Sequence, residues 1–395
     1  MAQMKSTPEH LKTLSERLCE SARKGTLSQS VLFVGREGIG KFSLVHDLAR
    51  TLLCEKDMSA CGECSGCHEA ERLYHPDFLL VFPFPNLRPE SKRLTIFSFS
   101  DPVSSSARFS EETREAVEEF KKGLLEDPFM LGDFEKKENI PVEVVKDLIY
   151  SLSKKPLRNG RRVVGILNVD KMAYGAADLF LKTVEEPPQN THLFLTTSRP
   201  DLLYPTLLSR TQRIKVPPMP EEQVQAILKK GLEINAKEAL FLSRLSGGSP
   251  GLGVHLFENE VMARREMMLG YFTKLISGEN IGNLVGDIQQ SFGGFKNRYD
   301  DIKIDFNIIE TIIHDLYIAG QNRLDNHFIN VDIKAKLTDI KAPGKEVLDI
   351  WHSSCARIRQ ACTVNNVSAD AAMIFFFVSC KEALDNLARP KFTLP

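Results

Sequence analysis

The chain has 395 residues, enough for about two or three domains of ordinary size. Its 51 Lys and Arg against 52 Asp and Glu give a net charge of −1, which argues against a protein that coats nucleic acid or anionic membranes by bulk charge. A hydrophobic fraction of 42% with 26% charged residues excludes disorder throughout. The longest apolar stretch, Ala371–Val378, is far shorter than the roughly 18 residues of a membrane span. The N-terminus shows no secretory signal, so we expect a soluble cytoplasmic protein.

Short apolar runs without alternation predict parallel strands that are buried on both faces. These runs lie at Val31–Val34, Phe78–Phe82, Val163–Leu167 and Leu193–Thr197, with a shorter fifth at Ile214–Val216. Helical patterns separate them, including one that opens at Pro141 and one that stops before Pro187. The alternation predicts a doubly wound α/β domain over residues 1–218, with a five-stranded parallel sheet and helices on both faces.

Residues 85–139 interrupt this alternation and are predicted to be an insertion. The segment is serine-rich at first, and then carries a polar helical pattern with Val117, Phe120 and Leu124 on one face. After Pro220 the strand signals stop, so the rest of the chain is predicted to be helical. We divide it into a small domain over residues 219–278 and a second helical domain over residues 279–395.

A glycine-rich loop follows the first predicted strand. It resembles a phosphate-binding loop, in which glycine amides and a lysine hold phosphates at a helix N-terminus. The predicted nucleotide-binding residues are Gly35, Gly38, Gly40, Lys41 and Ser43. Phe42 occupies the place of the magnesium-binding hydroxyl, and Ser43 comes one residue late, about 100° round the helix. A phosphate cradle without its magnesium ligand is predicted, and whether ATP or ADP still binds stays open.

A phosphate-loop ATPase also needs an acidic residue at the end of a neighbouring strand. Here the third strand runs into Asn168 and Val169, and Asp170 comes two or three residues late, where its side chain is expected to face a loop. Two independent losses at one magnesium site predict that this chain does not hydrolyse ATP.

Four closely spaced cysteines predict a metal site. Cys54, Cys61, Cys64 and Cys67 are separated by six, two and two residues, a spacing typical of tetrahedral Zn²⁺ ligation. Four thiolates leave no open coordination position, so one structural Zn²⁺ per chain is expected. An iron–sulfur cluster or the absence of any metal are the alternatives. His68 is a neighbouring spare ligand that is expected to be exposed.

Basic residues suggest two further sites. Ser209 and Arg210 precede the fifth strand, where an arginine in an oligomeric ATPase can reach the γ-phosphate of a neighbour, although a lone surface arginine is usually a solvated charge. A basic run ahead of the third strand offers contacts to DNA phosphates, the alternative being a solvated loop. These DNA-contact candidates are Lys154, Lys155, Arg158, Arg161 and Arg162.

Several long motifs resemble bacterial DNA polymerase III clamp-loader subunits of the AAA+ family. They are VLFVGREGIGK, the cysteine cluster, HPDFLLV, and the stretch DLFLKTVEEPPQNTHLFLTTSRPDLLYPTLLSRTQRIKVPP. The resemblance covers residues 25–84 and 140–260. It implies an AAA+ module with a zinc-binding insert, a helical lid over residues 219–278, a helical collar over residues 279–395, and membership of a five-subunit ring.

Among these subunits the chain resembles the delta-prime type. Phe42, the missing acids and Gly251, which lies where motor subunits have a sensor arginine, all favour this type. The resemblance implies a subunit of the polymerase III holoenzyme that does not hydrolyse ATP but presents Arg210, with Ser209, in trans to a neighbouring ATPase. Thr211 replaces the usual cysteine after this arginine. The implied partners are gamma/tau-type and delta-type subunits, the sliding clamp and primer–template DNA.

Two other hypotheses remain. The chain would be an active gamma/tau-like motor if Ser43 and Asp170 replaced the displaced magnesium ligands. Alternatively, the Cys54–Cys67 segment and the basic run would form a DNA-binding zinc module. We rank this last hypothesis lowest, because the cysteine segment has few basic residues and no aromatic stacking platform.

Overall fold

The computed structural model describes residues 7–85, 111–131, 138–158, 160–292, 299–321, 327–365 and 367–388. The chain divides into two compact units. Unit 1 comprises Met1–Pro220 and Ser249–Leu252, and unit 2 comprises Glu221–Gly248 and Gly253–Pro395. The serine-rich start of the predicted insertion lies outside the described residues.

Unit 1 contains a parallel sheet. The strands of this unit are β1 (Ser30–Val34), β2 (Phe78–Val81), β3 (Phe84–Pro85), β4 (Glu138–Asn139), β5 (Arg162–Ile166), β6 (Thr191–Thr197) and β7 (Gln212–Lys215). Five of them form a parallel sheet in the order β2-β5-β6-β1-β7. The five predicted strands are thereby confirmed, with ends that differ by at most two residues.

Helices cover both faces of this sheet. They are α1 (Glu9–Arg23), α2 (Lys41–Leu52), α3 (Ser65–Glu71), α4 (Glu111–Glu126), α5 (Val142–Leu152), α6 (Ala176–Glu185) and α7 (Pro205–Ser209). Alternate residues of a strand point to opposite faces. Accordingly Phe33 packs in one apolar cluster with α1, α2 and α4, whereas Leu32 packs in a second cluster with α5 and α6. The doubly wound architecture is confirmed.

The two ends of the predicted insertion lie side by side in unit 1. They pair as the short antiparallel strands β3 and β4, with Phe84 opposite Asn139. Between them α4 carries the predicted apolar face, in which Val117, Phe120 and Leu124 are all buried. This part of the insertion therefore packs as an integral helix of unit 1.

Helices make up the described chain beyond Pro220. They are α8 (Glu221–Leu232), α9 (Ala236–Ser246), α10 (Pro250–Glu258), α11 (Val261–Ile276), α12 (Ile281–Phe292), α13 (Tyr299–Gly320), α14 (Lys334–Asp339), α15 (Lys345–Asn365) and α16 (Ala369–Ala388). In unit 2 the rings of Trp351 and Phe272 lie 5.3 Å apart in the core. The predicted helical C-terminal region is confirmed, and its division at residue 278 stays a prediction. Among the described helices, none is long and apolar enough to cross a membrane.

Candidate functional site

The phosphate loop joins β1 to α2 at the carboxyl edge of the sheet, and its lysine is turned towards its own backbone. Lys41 Nζ donates hydrogen bonds to the carbonyl oxygens of Gly35 and Arg36, at 2.9 and 2.6 Å. The side chain is buried, and burial lowers the pKa of Lys41 to about 8 even though the nearby Glu37 and Asp170 carboxylates raise it. The predicted phosphate ligand thus uses two of its three N–H donors within the loop itself.

The loop is also covered by another segment of unit 1. A Cβ atom on Gly38, where φ is 65°, would lie 2.8 Å from Gly251 Cα and 2.8 Å from Ser249 Oγ. Ser249 Oγ donates a hydrogen bond to the Glu37 carbonyl, and the Gly251 amide donates one to the Gly38 carbonyl at 3.2 Å. Only glycine fits at Gly38, and here the close approach is made by the protein's own backbone rather than by a phosphate.

The two candidate replacements for the magnesium ligands, Ser43 and Asp170, are both buried or bonded within unit 1. Phe42 is part of the apolar core, and Ser43 Oγ is fully buried without a hydrogen-bond partner among the described residues. Asp170 was predicted to face a loop. Instead it accepts a hydrogen bond from Thr197 Oγ1 at the end of β6. Burial raises the pKa of Asp170, an effect that this hydrogen bond opposes. The expected orientation of Asp170 was wrong because the short 3-10 helix Val169–Lys171 turns its side chain towards the neighbouring strand.

A cavity of about 60 Å³ lies beside Lys41 and Phe42. Phe120 and Leu124 of α4 line it together with Leu167 at the end of β5. Small-molecule pockets usually measure about 300–1,000 Å³ and present several polar groups. This space is much smaller, because the insertion helix packs against the phosphate loop, although Lys41, Asn168 and Thr196 give it polar lining.

Specific contacts fix α4 in this position. The rings of Phe120 and Phe82 have centroids 4.3 Å apart. Tyr74 Oη donates a hydrogen bond to Glu118 Oε2 at 2.9 Å, and Lys121 Nζ donates one to Glu118 Oε1 at 2.9 Å. The insertion helix is thus held by both an aromatic contact and a polar network.

The four predicted metal ligands come together. The sulfur atoms of Cys54, Cys61, Cys64 and Cys67 all lie within 4.8 Å of one another, and three pairs are separated by 3.7, 3.9 and 3.9 Å. Four thiolates at about 2.3 Å from one tetrahedral Zn²⁺ lie about 3.8 Å apart. The donor set and its spacing therefore fit Zn²⁺.

Local backbone features build this cluster. Cys64 caps α3, and its sulfur accepts a hydrogen bond from the Cys67 amide at 3.4 Å. A Cβ atom on Gly66 would lie 2.4 Å from the Leu53 carbonyl oxygen, so this position requires glycine. His68 is exposed and lies outside the cluster.

Arg210 lies on the surface at the end of α7. Its Nε is 2.9 Å from Glu185 Oε2, and its Nη1 donates a hydrogen bond to the Thr206 carbonyl at 3.1 Å. Ser209 Oγ donates to the same carbonyl at 3.0 Å, so it stabilises the end of the helix. The arginine side chain remains about one-third exposed, at 33%.

The predicted basic run separates into exposed and buried parts. Lys154 and Lys155 are exposed, Arg161 is half-buried, and Arg158 Nη1 lies 2.7 Å from both carboxylate oxygens of Glu69. Lys154 Nζ lies 4.5 Å from the centroid of the Tyr150 ring.

Arg162 is the exception and corrects the prediction that it contacts DNA. It is only 5% exposed and donates hydrogen bonds to the Ser151 carbonyl at 2.7 Å and to Asp77 Oδ1 at 3.4 Å. Asp77 also accepts hydrogen bonds from the amides of Leu157 and Arg158, at 2.9 and 2.7 Å. Because β5 places Arg162 inside unit 1, this arginine holds the basic loop through buried hydrogen bonds and does not face solvent.

Sequence reasoning missed three participants in these sites. Glu185 was not recognised as the partner of Arg210, Asp77 was not recognised as the centre of the basic loop, and Phe120 was not placed beside the phosphate loop. The available signal for Asp77 was its position in the motif HPDF, directly before a strand. The other two contacts join residues far apart in the sequence, and no local pattern indicates them.

Comparison with known proteins identifies relatives of this chain. The profile of the family described as "DNA polymerase III, delta subunit" matches residues 10–220. The DNA polymerase III subunit delta' of Escherichia coli is 26% identical over 64% of this chain and 61% of that protein. The corresponding protein of Pseudomonas aeruginosa is 27% identical over 63% of this chain and 62% of that protein. The match thus spans about three fifths of the length of these relatives.

More distant relatives have other names. The E. coli DNA polymerase III subunit tau is 24% identical over 55% of this chain and 25% of that protein. Among solved structures, a Thermotoga maritima gamma subunit-related protein of DNA polymerase III has a TM-score of 0.32 at 16% identity, covering 95% of this chain and 99% of that one. The fold assignment rests on the strand order of unit 1 and not on so distant a likeness.

Proposed function

The chain belongs to the DNA polymerase III delta subunit family, and from that membership we propose that it is a delta-prime-like, non-hydrolysing subunit of a bacterial clamp loader. It would form a five-membered ring with gamma/tau-type and delta-type subunits and act while the sliding clamp is loaded onto primer–template DNA. In that ring it supplies Arg210 in trans to a neighbouring ATPase. The observation that carries the proposal is the contrast between a phosphate loop closed by its own chain and an arginine presented at the surface.

The geometry of the loop supports a subunit that does not hydrolyse ATP. Phosphate binding at Gly38 would require Ser249 and Gly251 to leave the loop and Lys41 to break its hydrogen bonds to two carbonyls. Even then Phe42 stands where the Mg²⁺-binding hydroxyl is needed, and Asp170 accepts a hydrogen bond from Thr197. Mg²⁺ neutralises charge in phosphoryl transfer. A motor subunit needs both features at once.

The surroundings of Arg210 support a role in trans. A guanidinium group stabilises the charge that develops on a transferred γ-phosphate, and such arginine fingers raise kcat by about 10³–10⁵-fold. The short helix α7 and the contacts of Arg210 to Glu185 and Thr206 hold this arginine at the surface. We assign Ser209 a supporting role, because it stabilises the end of α7.

The remaining features have structural or auxiliary roles in this proposal. Cys54, Cys61, Cys64 and Cys67 would hold one Zn²⁺ per chain, which stabilises the fold because all four positions are filled by thiolates. Residues 219–278 would be the lid and residues 279–395 the collar. Lys154, Lys155, Arg158 and Arg161 remain candidates for contacts to DNA phosphates.

The alternative is a gamma/tau-like motor. It requires Ser43 and Asp170 to act as magnesium ligands, but Ser43 is buried in the core and Asp170 is bonded to Thr197. A stand-alone DNA-binding zinc module is less favoured still, because the cysteine cluster packs against the end of α2 as part of unit 1.

Replacing Arg210 tests the proposal. A loader is reconstituted from this chain and its own partner subunits, and ATP hydrolysis and clamp loading on primed DNA are measured. We expect Arg210→Ala to slow clamp loading at least about tenfold, because the neighbouring site loses its transition-state cation. Arg199→Ala is the matched control, since Arg199 is also exposed and paired with a carboxylate, Asp201, at 3.3 Å.

Assembly of each variant is checked by size-exclusion chromatography, so that loss of the complex is not mistaken for loss of catalysis. Clamp loading at the wild-type rate by an assembled Arg210→Ala loader would contradict the role of this arginine. A drop of equal size with Arg199→Ala would show a general charge effect instead.

A further inference from the structure

We propose that Glu185 is a positioning residue for Arg210, an inference that rests on the proposed function above. Glu185 ends α6 and Arg210 follows α7, 25 residues later. Arg210 Nε lies 2.9 Å from Glu185 Oε2, and Arg210 Nη2 lies 3.5 Å from Glu185 Oε1. The carboxylate therefore contacts one whole edge of the guanidinium group, while Nη1 donates to the Thr206 carbonyl at 3.1 Å.

This arrangement leaves the donors that a phosphate requires. A guanidinium group has about five N–H donors in a fixed plane. Hydrogen bonds to Glu185 and Thr206 use one N–H each on Nη2 and Nη1, so each terminal nitrogen keeps one N–H. Phosphate oxygens are bound well by paired N–H groups of this kind. Glu185 thus holds Arg210 from the side and leaves its outer end available to a neighbouring subunit.

The backbone on both sides of the pair is rigidly packed. Phe180 and Val184 of α6 and Leu207 of α7 are at most 2% exposed and belong to one apolar cluster. Packing of these residues fixes where Glu185 and Arg210 leave the two helices. The pair therefore restricts a long side chain to one region of space, which reduces the conformational entropy that Arg210 loses on reaching a phosphate.

The pair is not expected to stabilise the fold measurably. The side chains of Arg210 and Glu185 are 33% and 54% exposed, and exposed ion pairs contribute little to folding. An effect of Glu185 on catalysis without an effect on stability is consequently the signature of positioning.

The test uses Glu185→Gln in the reconstituted loader, with Glu186→Gln as the matched control. Glu186 is adjacent and exposed, and it is not the residue that contacts Arg210. We expect Glu185→Gln to lower the kcat of ATP hydrolysis by about three- to tenfold and to leave the KM for ATP unchanged, because a held arginine acts in the transition state. Glu186→Gln should leave both values, and both variants should keep the wild-type melting temperature.

The decisive readout is the double variant. If Glu185 acts only through Arg210, Glu185→Gln should cause no further loss in the Arg210→Ala background, whereas independent effects would multiply. Wild-type kcat in Glu185→Gln, together with a loss in Arg210→Ala, would overturn the positioning role and leave the proposed function intact. A higher kcat in Glu185→Gln would show that Glu185 restrains Arg210 and would also overturn it. No loss in Arg210→Ala would instead remove the proposed function itself.

Discussion

Replacing Asp77 by asparagine tests the buried charge pair that supports the basic loop. Asp77 is 0% exposed and accepts hydrogen bonds from two amides and from Arg162, which is 5% exposed. Asparagine has nearly the same shape, but its amide nitrogen would face donors only. Arg162 would then be a buried cation without a carboxylate.

The expected loss follows from these contacts. Breaking a buried ion pair by removing one partner costs about 3–5 kcal/mol of unfolding free energy. Arg162 keeps hydrogen bonds to the carbonyls of Ser151, Lys154 and Lys155, so we expect a value near the lower limit, about 3 kcal/mol. At an m-value of about 1–3 kcal/mol per molar urea, this moves the unfolding midpoint of unit 1 down by about 1–3 M.

Urea unfolding of the full chain measures this change by two signals. Far-UV circular dichroism reports on the helices of both units, whereas fluorescence of the single tryptophan, Trp351, reports on unit 2. The change in unit 1 is therefore the shift that circular dichroism shows and fluorescence does not. Asp201→Asn is the control, since the Asp201 side chain is 64% exposed and its pair with Arg199 should contribute at most about 1 kcal/mol. A loss for Asp77→Asn no larger than that of the control would refute the assigned role of the buried pair.

Two further outcomes are expected. Metal analysis should give one equivalent of zinc per chain, which is lost in Cys64→Ser but kept in the buried control Cys362→Ser. Chelation should lower the melting temperature of unit 1, because a closed thiolate site contributes folding energy. A coloured, iron-containing protein would contradict this prediction. Titration of a fluorescent ATP analogue onto the lone chain should show no Mg²⁺-dependent saturable binding, because the phosphate loop is covered. Tight Mg²⁺-dependent binding that Lys41→Ala abolishes would favour the motor alternative.

Local patterns in the sequence predicted much of unit 1. Continuous apolar runs predicted β1, β2, β5 and β6, because parallel strands covered on both faces need apolar side chains at every position. The edge strand β7 has mostly exposed side chains and was indicated only by its short apolar end. The four cysteines predicted their own cluster, because gaps of two residues bring sulfurs to one side of a turn. Phe42, in the place of the magnesium-binding hydroxyl, indicates a defective magnesium site from the sequence alone.

Predictions based on charge alone were less accurate. Arg162 belongs to a run of basic residues that resembles a solvated or DNA-binding loop, yet β5 carries it into the interior and Asp77, 85 residues away, neutralises it. A residue count does not distinguish a cation on the surface from one in the core. The distinction depends on strand register, which packing determines.

The sequence by itself determined the strands, the predominantly helical C-terminal region, the cysteine cluster and the position of the phosphate loop, because each depends on residues that are close in the chain. Only the tertiary structure decided that the loop is closed and that Arg210 is held at the surface. Ser249 reaches the loop at Glu37 from 212 residues away, and Glu185 reaches Arg210 from a different helix. Such contacts arise when separate elements pack together, and the periodicity of a single element carries no information about them.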